Sequence, residues 1–130
     1  MKKLICLSLV LVILCSLCAC AKTVVEEEQE VTLHFVFDEA ETHARLAEDE
    51  AAHVIEILNG KRYDIVVDTP ICGFDKNISL QVGERTYAIA RDTCTYILDC
   101  GNMRYFVVSV EDMDYIHALF EQYGGSFPCV

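Results

Sequence analysis

The sequence predicts an α+β domain: an antiparallel sheet of about five or six strands, with a long N-terminal helix and a C-terminal helix packed on it. Three observations carry this. Val31 to Phe37 alternates apolar and polar residues, as a half-buried strand does. Gly83-Glu84 and Asp99-Cys100-Gly101-Asn102 each separate two short apolar runs, as hairpin turns do. Apolar residues recur at helical spacing from Ala40 to Leu58 and again from Met113 to Tyr123.

Residues 1–19 read as an export leader. Lys2 and Lys3 give a positive start, and Leu4 to Leu17 is an apolar run broken by Ser8, Ser16 and two cysteines. Leu17-Cys18-Ala19-Cys20 resembles a lipobox, with Cys20 at the lipidated position and Cys18 where a smaller residue is usual. Two rival readings stand beside it. Ala19 and Ala21 form an A-x-A site that would release a soluble chain after Ala21, or the run stays as a membrane helix. The run falls short of the ~20 apolar residues that a spanning helix needs. Residues 20–30 follow as a lipidated cysteine and an acidic tether held extended by like charges, and residues 31–130 as one domain.

Within the domain, Leu33, Phe35 and Phe37 form the buried face of the first strand. Asp38 and Glu41 resemble a capping box, which starts the long helix there. Ala40, Ala44, Ala47, Ala51, Val54, Ile55 and Leu58 form its apolar stripe, and Asn59-Gly60 its stop. Strands are then expected at Tyr63–Val67, Ile78–Val82, Arg85–Ala90, Cys94–Leu98 and Arg104–Val110. Gly83-Glu84 suits a two-residue II′ turn, which sets Val82 against Arg85, Leu80 against Tyr87 and Ile78 against Ile89. Ser109 with Asp112 caps the last helix, whose stripe is Met113, Ile116, Phe120 and Tyr123.

Removing the leader takes Lys2 and Lys3 from the 10 basic residues, so 8 face 21 acids and the net charge becomes −13. Such a surface repels phosphate backbones, and nucleic acid is not an expected partner. Of the 8 cysteines, Cys6, Cys15 and Cys18 leave with the leader and Cys20 takes the lipid. Cys72, Cys94, Cys100 and Cys129 remain, an even set expected to form disulfides in an exported domain. Continuing the hairpin register outward makes Cys72 and Cys94 diagonal neighbours; elimination then pairs Cys100 with Cys129. Cys72 with Cys129 is the alternative. Separations of 22, 6 and 29 residues lack the two close pairs of a four-thiolate zinc site.

On the expected helix, Glu39/His43 and Asp49/His53 are i,i+4 pairs and read as separate surface ion pairs. His117 reads as a helix-flank residue. Ser79, Ser109 and Ser126 lack a nucleophile-elbow context, so no catalytic residue, metal site or cofactor is expected.

Cys72-Gly73-Phe74-Asp75, Asp92-Thr93-Cys94 and Tyr123-Gly124-Gly125-Ser126-Phe127-Pro128-Cys129 together resemble small cysteine-containing lipoproteins and exported proteins of Gram-positive gut bacteria. That resemblance spans most of residues 60–129 and transfers no activity. The expectation is a non-enzymatic binding or inhibitory module on the extracytoplasmic face of the cell membrane. Its Cys20 acyl anchor would lie in the lipid bilayer, and its partner would be a protein or cell-wall component. Exposed Tyr63, Tyr87, Tyr96 or Tyr105 on the open sheet face would serve such contacts. The alternative is a thiol-redox or metal-binding protein that uses Cys94 and Cys100 or the histidine–carboxylate pairs.

Overall fold

The structure is a computed structural model that describes residues 21–64 and 72–125. Six strands, β1 (Val31–Phe37), β2 (Ala40–Arg45), β3 (Phe74–Val82), β4 (Arg85–Ala90), β5 (Tyr96–Asp99) and β6 (Arg104–Val107), form one antiparallel sheet. Their order across it is β2-β1-β3-β4-β5-β6. Helix α1 (Glu48–Leu58) follows β2, and α2 (Val110–Gln122) follows β6. The mixed class, the antiparallel sheet and the two helices match the expectation. The long helix does not.

Residues 40–45, expected in that helix, form strand β2 instead. Asp38 and Glu39 both take positive φ, 51° and 65°, which is the backbone of a type I′ hairpin turn. The chain therefore doubles back at Asp38, and Phe37 pairs with Ala40. Pairing along a formed strand outweighs the four-residue spacing of the alanines. The helix starts only at Glu48, where the Glu50 carboxylate accepts the Ala47 N–H at 3.0 Å. Glu48, Asp49 and Glu50 then lie at its positive end.

Along β1, β3, β4, β5 and β6 one face carries Leu33, Leu80, Tyr87, Ile97 and Phe106, all 0% exposed. Both helices pack on that face, through Val54, Ile55 and Leu58 of α1 and Met113, Ile116 and Phe120 of α2. Each such fully buried side chain contributes about 1.5–3 kcal/mol. The Phe35 and Phe120 rings meet edge to face, with centroids 5.9 Å apart. The helices run antiparallel. Glu50, at the start of α1, accepts from Tyr123 Oη at 2.6 Å beyond the end of α2, while Lys61 and Asp112 meet at the opposite ends.

The β3–β4 pairing matches the expected register from Val82↔Arg85 back to Ser79↔Ala88. Gly83 has φ 58° at the turn. Between Ser79 and Phe74 the register shifts, so Phe74 faces Ala90. Ser109 accepts the Asp112 N–H at 3.0 Å and caps α2 as expected.

Residues 21–25 are not free tether. Lys22 bridges to Arg62, and Tyr63 bridges to Phe106, which extends the sheet beyond β6 by two short segments. Thr23 is 1% exposed. Its hydroxyl donates to the Leu58 carbonyl at 2.7 Å and accepts the Lys61 N–H at 2.7 Å, closing the C-terminal end of α1. The expected strand at Tyr63–Val67 is described only as far as Asp64, whose N–H donates to Tyr105.

Candidate functional site

Of the sequence-predicted site residues, Cys20 and Cys129 lie outside the described residues. The sulfurs of Cys72 and Cys94 lie at disulfide distance, with their Cα atoms 6.1 Å apart. They stay neighbours despite the register shift in β3, since the Arg91 N–H donates to the Gly73 carbonyl just beyond Phe74↔Ala90 and keeps the two chain segments side by side. Cys100 is half-buried and has no disulfide partner among the described residues. Ser79 is buried, Ser109 is the cap of α2, and Ser126 lies outside the described residues.

The tyrosines divide between the two faces. Tyr87, 0% exposed, and Tyr63, 7% exposed, lie in the core and not on an open face. Tyr63 donates its hydroxyl to Asp99 Oδ2 at 2.6 Å; the Gly101 N–H serves Oδ1 of the same buried carboxylate. The Arg104 guanidinium lies 4.9 Å from the Tyr63 ring centroid. Burial pushes the Tyr63 phenol above its usual range, and its bond to Asp99 adds to that. Burial raises Tyr87 as well, opposed by the Arg85 guanidinium beside it. Tyr96 and Tyr105 are half-buried on the face opposite the helices, where Tyr105 meets Phe74 with ring centroids 5.2 Å apart.

The histidines are arranged differently from the expected helix pairs. His43 is on β2, directly opposite His34 of β1. The two rings stack with centroids 4.5 Å apart and planes 13° from parallel. Both Nε2 atoms point to one oxygen, Glu41 Oε1, at 2.9 Å from His34 and 3.2 Å from His43. These imidazole contacts, led by that from His34, hold the Glu41 carboxyl below its usual range. Glu39 is in the turn, not one helical turn from His43. His53 pairs with Glu56 at 3.7 Å rather than with Asp49, and its ring meets Tyr115 edge to face. Burial lowers His117, against the pull of Asp114 and Glu121.

One groove of about 1160 Å³ runs along α1. Val31, Leu46, Ala51 and Ile55 form its floor. Glu27, Glu28, Glu30, Glu48 and Glu56 are exposed around it, with Arg45 tied to Glu30 at 3.3 Å. The sequence shows those glutamates but not the groove, because residues 27–30 read as tether until the packing of Thr23 and Val25 brings them beside the helix.

Among the described residues no helix is long and apolar enough to cross a membrane. No family model, curated protein or solved structure matches this chain.

Proposed function

We propose that this chain is a lipid-anchored, extracytoplasmic binding module that takes a basic segment of a partner polypeptide into the groove along α1. The groove is the observation that carries this reading: five glutamates surround a floor whose apolar side chains, Val31, Leu46, Ala51 and Ile55, are each almost fully buried. Attraction there is mainly electrostatic, so the fitting partner is cationic and binding is strongly salt-dependent.

The lipobox supports the anchor. Three residue steps from Cys20 to the buried Thr23 span at most about 11 Å, which would seat the domain close to the bilayer. Lys22 and Arg62 pair at that end beside the Thr23 contacts, and Arg85 Nη1 donates to the Val24 carbonyl. Basic side chains beside anionic headgroups favour the same seating.

The test is calorimetric titration with octalysine at low and at physiological salt. Wild type is expected to bind one octalysine, weakening steeply with salt, and Glu48→Gln with Glu56→Gln is expected to weaken it further. Glu84→Gln with Glu111→Gln, outside the groove, is the control. Equal weakening by both pairs would mean diffuse surface charge and would end the groove reading. The anchor is tested separately by radiolabelled palmitate, whose incorporation is expected to disappear in Cys20→Ser.

A further inference from the structure

We propose that His34, His43 and Glu41 form a binding site for a divalent transition-metal ion, with zinc as its reference occupant, on the outer face of the β1–β2 hairpin. The site follows from strand geometry. With Phe37↔Ala40 closing a two-residue turn, hydrogen-bonded and non-hydrogen-bonded pairs alternate outward, and His34↔His43 is a non-hydrogen-bonded pair. Side chains approach most closely at such pairs. Glu41, two residues before His43, projects from the same face.

One ligand atom from each of the three lies within 4.8 Å of the other two. In tetrahedral zinc sites with bonds of about 2.0–2.2 Å, neighbouring ligand atoms sit about 3.4 Å apart. Glu41 Oε1 is already 2.9 Å and 3.2 Å from the two Nε2 atoms. A metal ion enters by displacing the shared protons to solvent. Because the two rings lie within 13° of parallel, the exposed His43 ring turns about its side-chain bonds so that both Nε2 lone pairs converge on the ion, and the carboxylate moves outward by a few tenths of an ångström. Each imidazole then offers its Nε2 lone pair and keeps its proton on Nδ1.

The donor set of two imidazoles and one carboxylate suits zinc, copper or nickel, and not the all-oxygen preference of calcium or magnesium. The frame is fixed on one side and open on the other. β1 is held between β2 and β3, and the His34 side chain is 12% exposed. His43 and Glu41 are 52% and 62% exposed, which leaves room for water as a further ligand. Among the described residues the other grouping of this kind, Cys72, Asp92 and Cys94, has its two sulfurs at disulfide distance. Its cysteines are therefore not available as thiolates.

The experiment uses the chain as an exporting host delivers it, in mild detergent, with free thiols alkylated so that Cys100 cannot compete. Zinc is added alone and followed by calorimetry and by histidine side-chain nitrogen resonances. One zinc per chain is expected, with the His34 and His43 signals moving, those of His53 and His117 still, and excess calcium unable to displace it. His43→Gln and Glu41→Gln are each expected to weaken binding at least about tenfold, while His53→Gln leaves it unchanged. Both target residues are exposed, so these variants are expected to melt near wild type in the presence of a chelator. Zinc should raise the melting midpoint of wild type and leave theirs almost unmoved. Undiminished binding in either variant, several weak sites in place of one, or no binding at all would overturn the assignment.

Discussion

Tyr63→Phe isolates what the buried Asp99 carboxylate requires of its neighbours. Asp99 is 2% exposed, and its two oxygens are served by the Tyr63 hydroxyl at 2.6 Å and the Gly101 N–H at 3.0 Å. The substitution removes one oxygen atom and keeps the ring, so the edge-to-face contact with Phe106 and the Arg104 guanidinium over the ring both survive. What remains is a carboxylate stripped of one donor in a place water does not reach. A hydrogen bond to a charged group contributes about 1.5–3 kcal/mol, and Tyr63→Phe is expected to cost that much. In an Asp99→Asn background the acceptor is neutral, and the cost should fall to about 1 kcal/mol. The assay is urea unfolding followed by far-UV circular dichroism, since the chain has no tryptophan. The pH profile gives an independent check. The Tyr63 phenol is raised in the folded state, so its contribution is present below about pH 10 and is lost as pH rises through the folded value. The variant should lack that part of the alkaline limb. A loss under about 0.5 kcal/mol with an unchanged denaturant slope would show that Asp99 recruits another donor, and would refute the reasoning.

Three further outcomes follow from the same physics. Thr23→Val removes the hydroxyl that serves both Leu58 and Lys61 at the end of α1; it is expected to cost about 1–3 kcal/mol and to speed hydrogen exchange at the Lys61 amide. Asp38→Asn with Glu39→Gly puts residues suited to positive φ at both turn positions and should gain about 0.5–1 kcal/mol in the same unfolding assay. His117 is lowered by burial, so the unfolded chain binds its proton first as pH falls. Its stability contribution is complete above about pH 6.5 and declines below that, and His117→Gln should flatten this limb of a melting-midpoint profile.

The sequence revealed elements whose signals were local. The Gly83-Glu84 turn, the Ser109 cap and the Met113, Ile116 and Phe120 stripe all rest on residues within one turn of each other, and the structure has each of them. The failure at residues 38–45 has a different origin. Ala-Glu-Thr-His-Ala-Arg has few of the β-branched and aromatic residues that mark a strand, and its alanines fall at the four-residue spacing of a helix by coincidence. Asp-Glu is also a poor sequence for a type I′ turn. As an edge strand, β2 has only one neighbour to satisfy, and its charged residues guard the open edge. A strand of that kind has little hydrophobic pattern to read. The same ambiguity concealed the histidine site, because His34 and His43 become neighbours only when the chain reverses at Asp38-Glu39.

The arrangement also separates the proposed activities in space. Residues 21–23 bridge to residues 61–63 beyond β6, whereas the histidines lie on β1 and β2 at the other edge of the sheet. An anchor at Cys20 would therefore hold one edge near the bilayer and leave the hairpin edge turned away from it. The groove lies between, bounded by α1 and by the chain running from residues 21–23 into β1. Metal binding at the hairpin and cation binding in the groove use different carboxylates, Glu41 in the first and Glu27, Glu28, Glu30, Glu48 and Glu56 in the second. Arg45 and Glu30 connect them, since Arg45 lies two residues from His43 on the same strand and its ion pair reaches the groove edge. Arg45→Gln would thus free Glu30 for an incoming cation while leaving the three metal-binding side chains in place. It should tighten octalysine binding and leave zinc stoichiometry unchanged; a loss of both would mean that the two surfaces depend on one shared hairpin geometry.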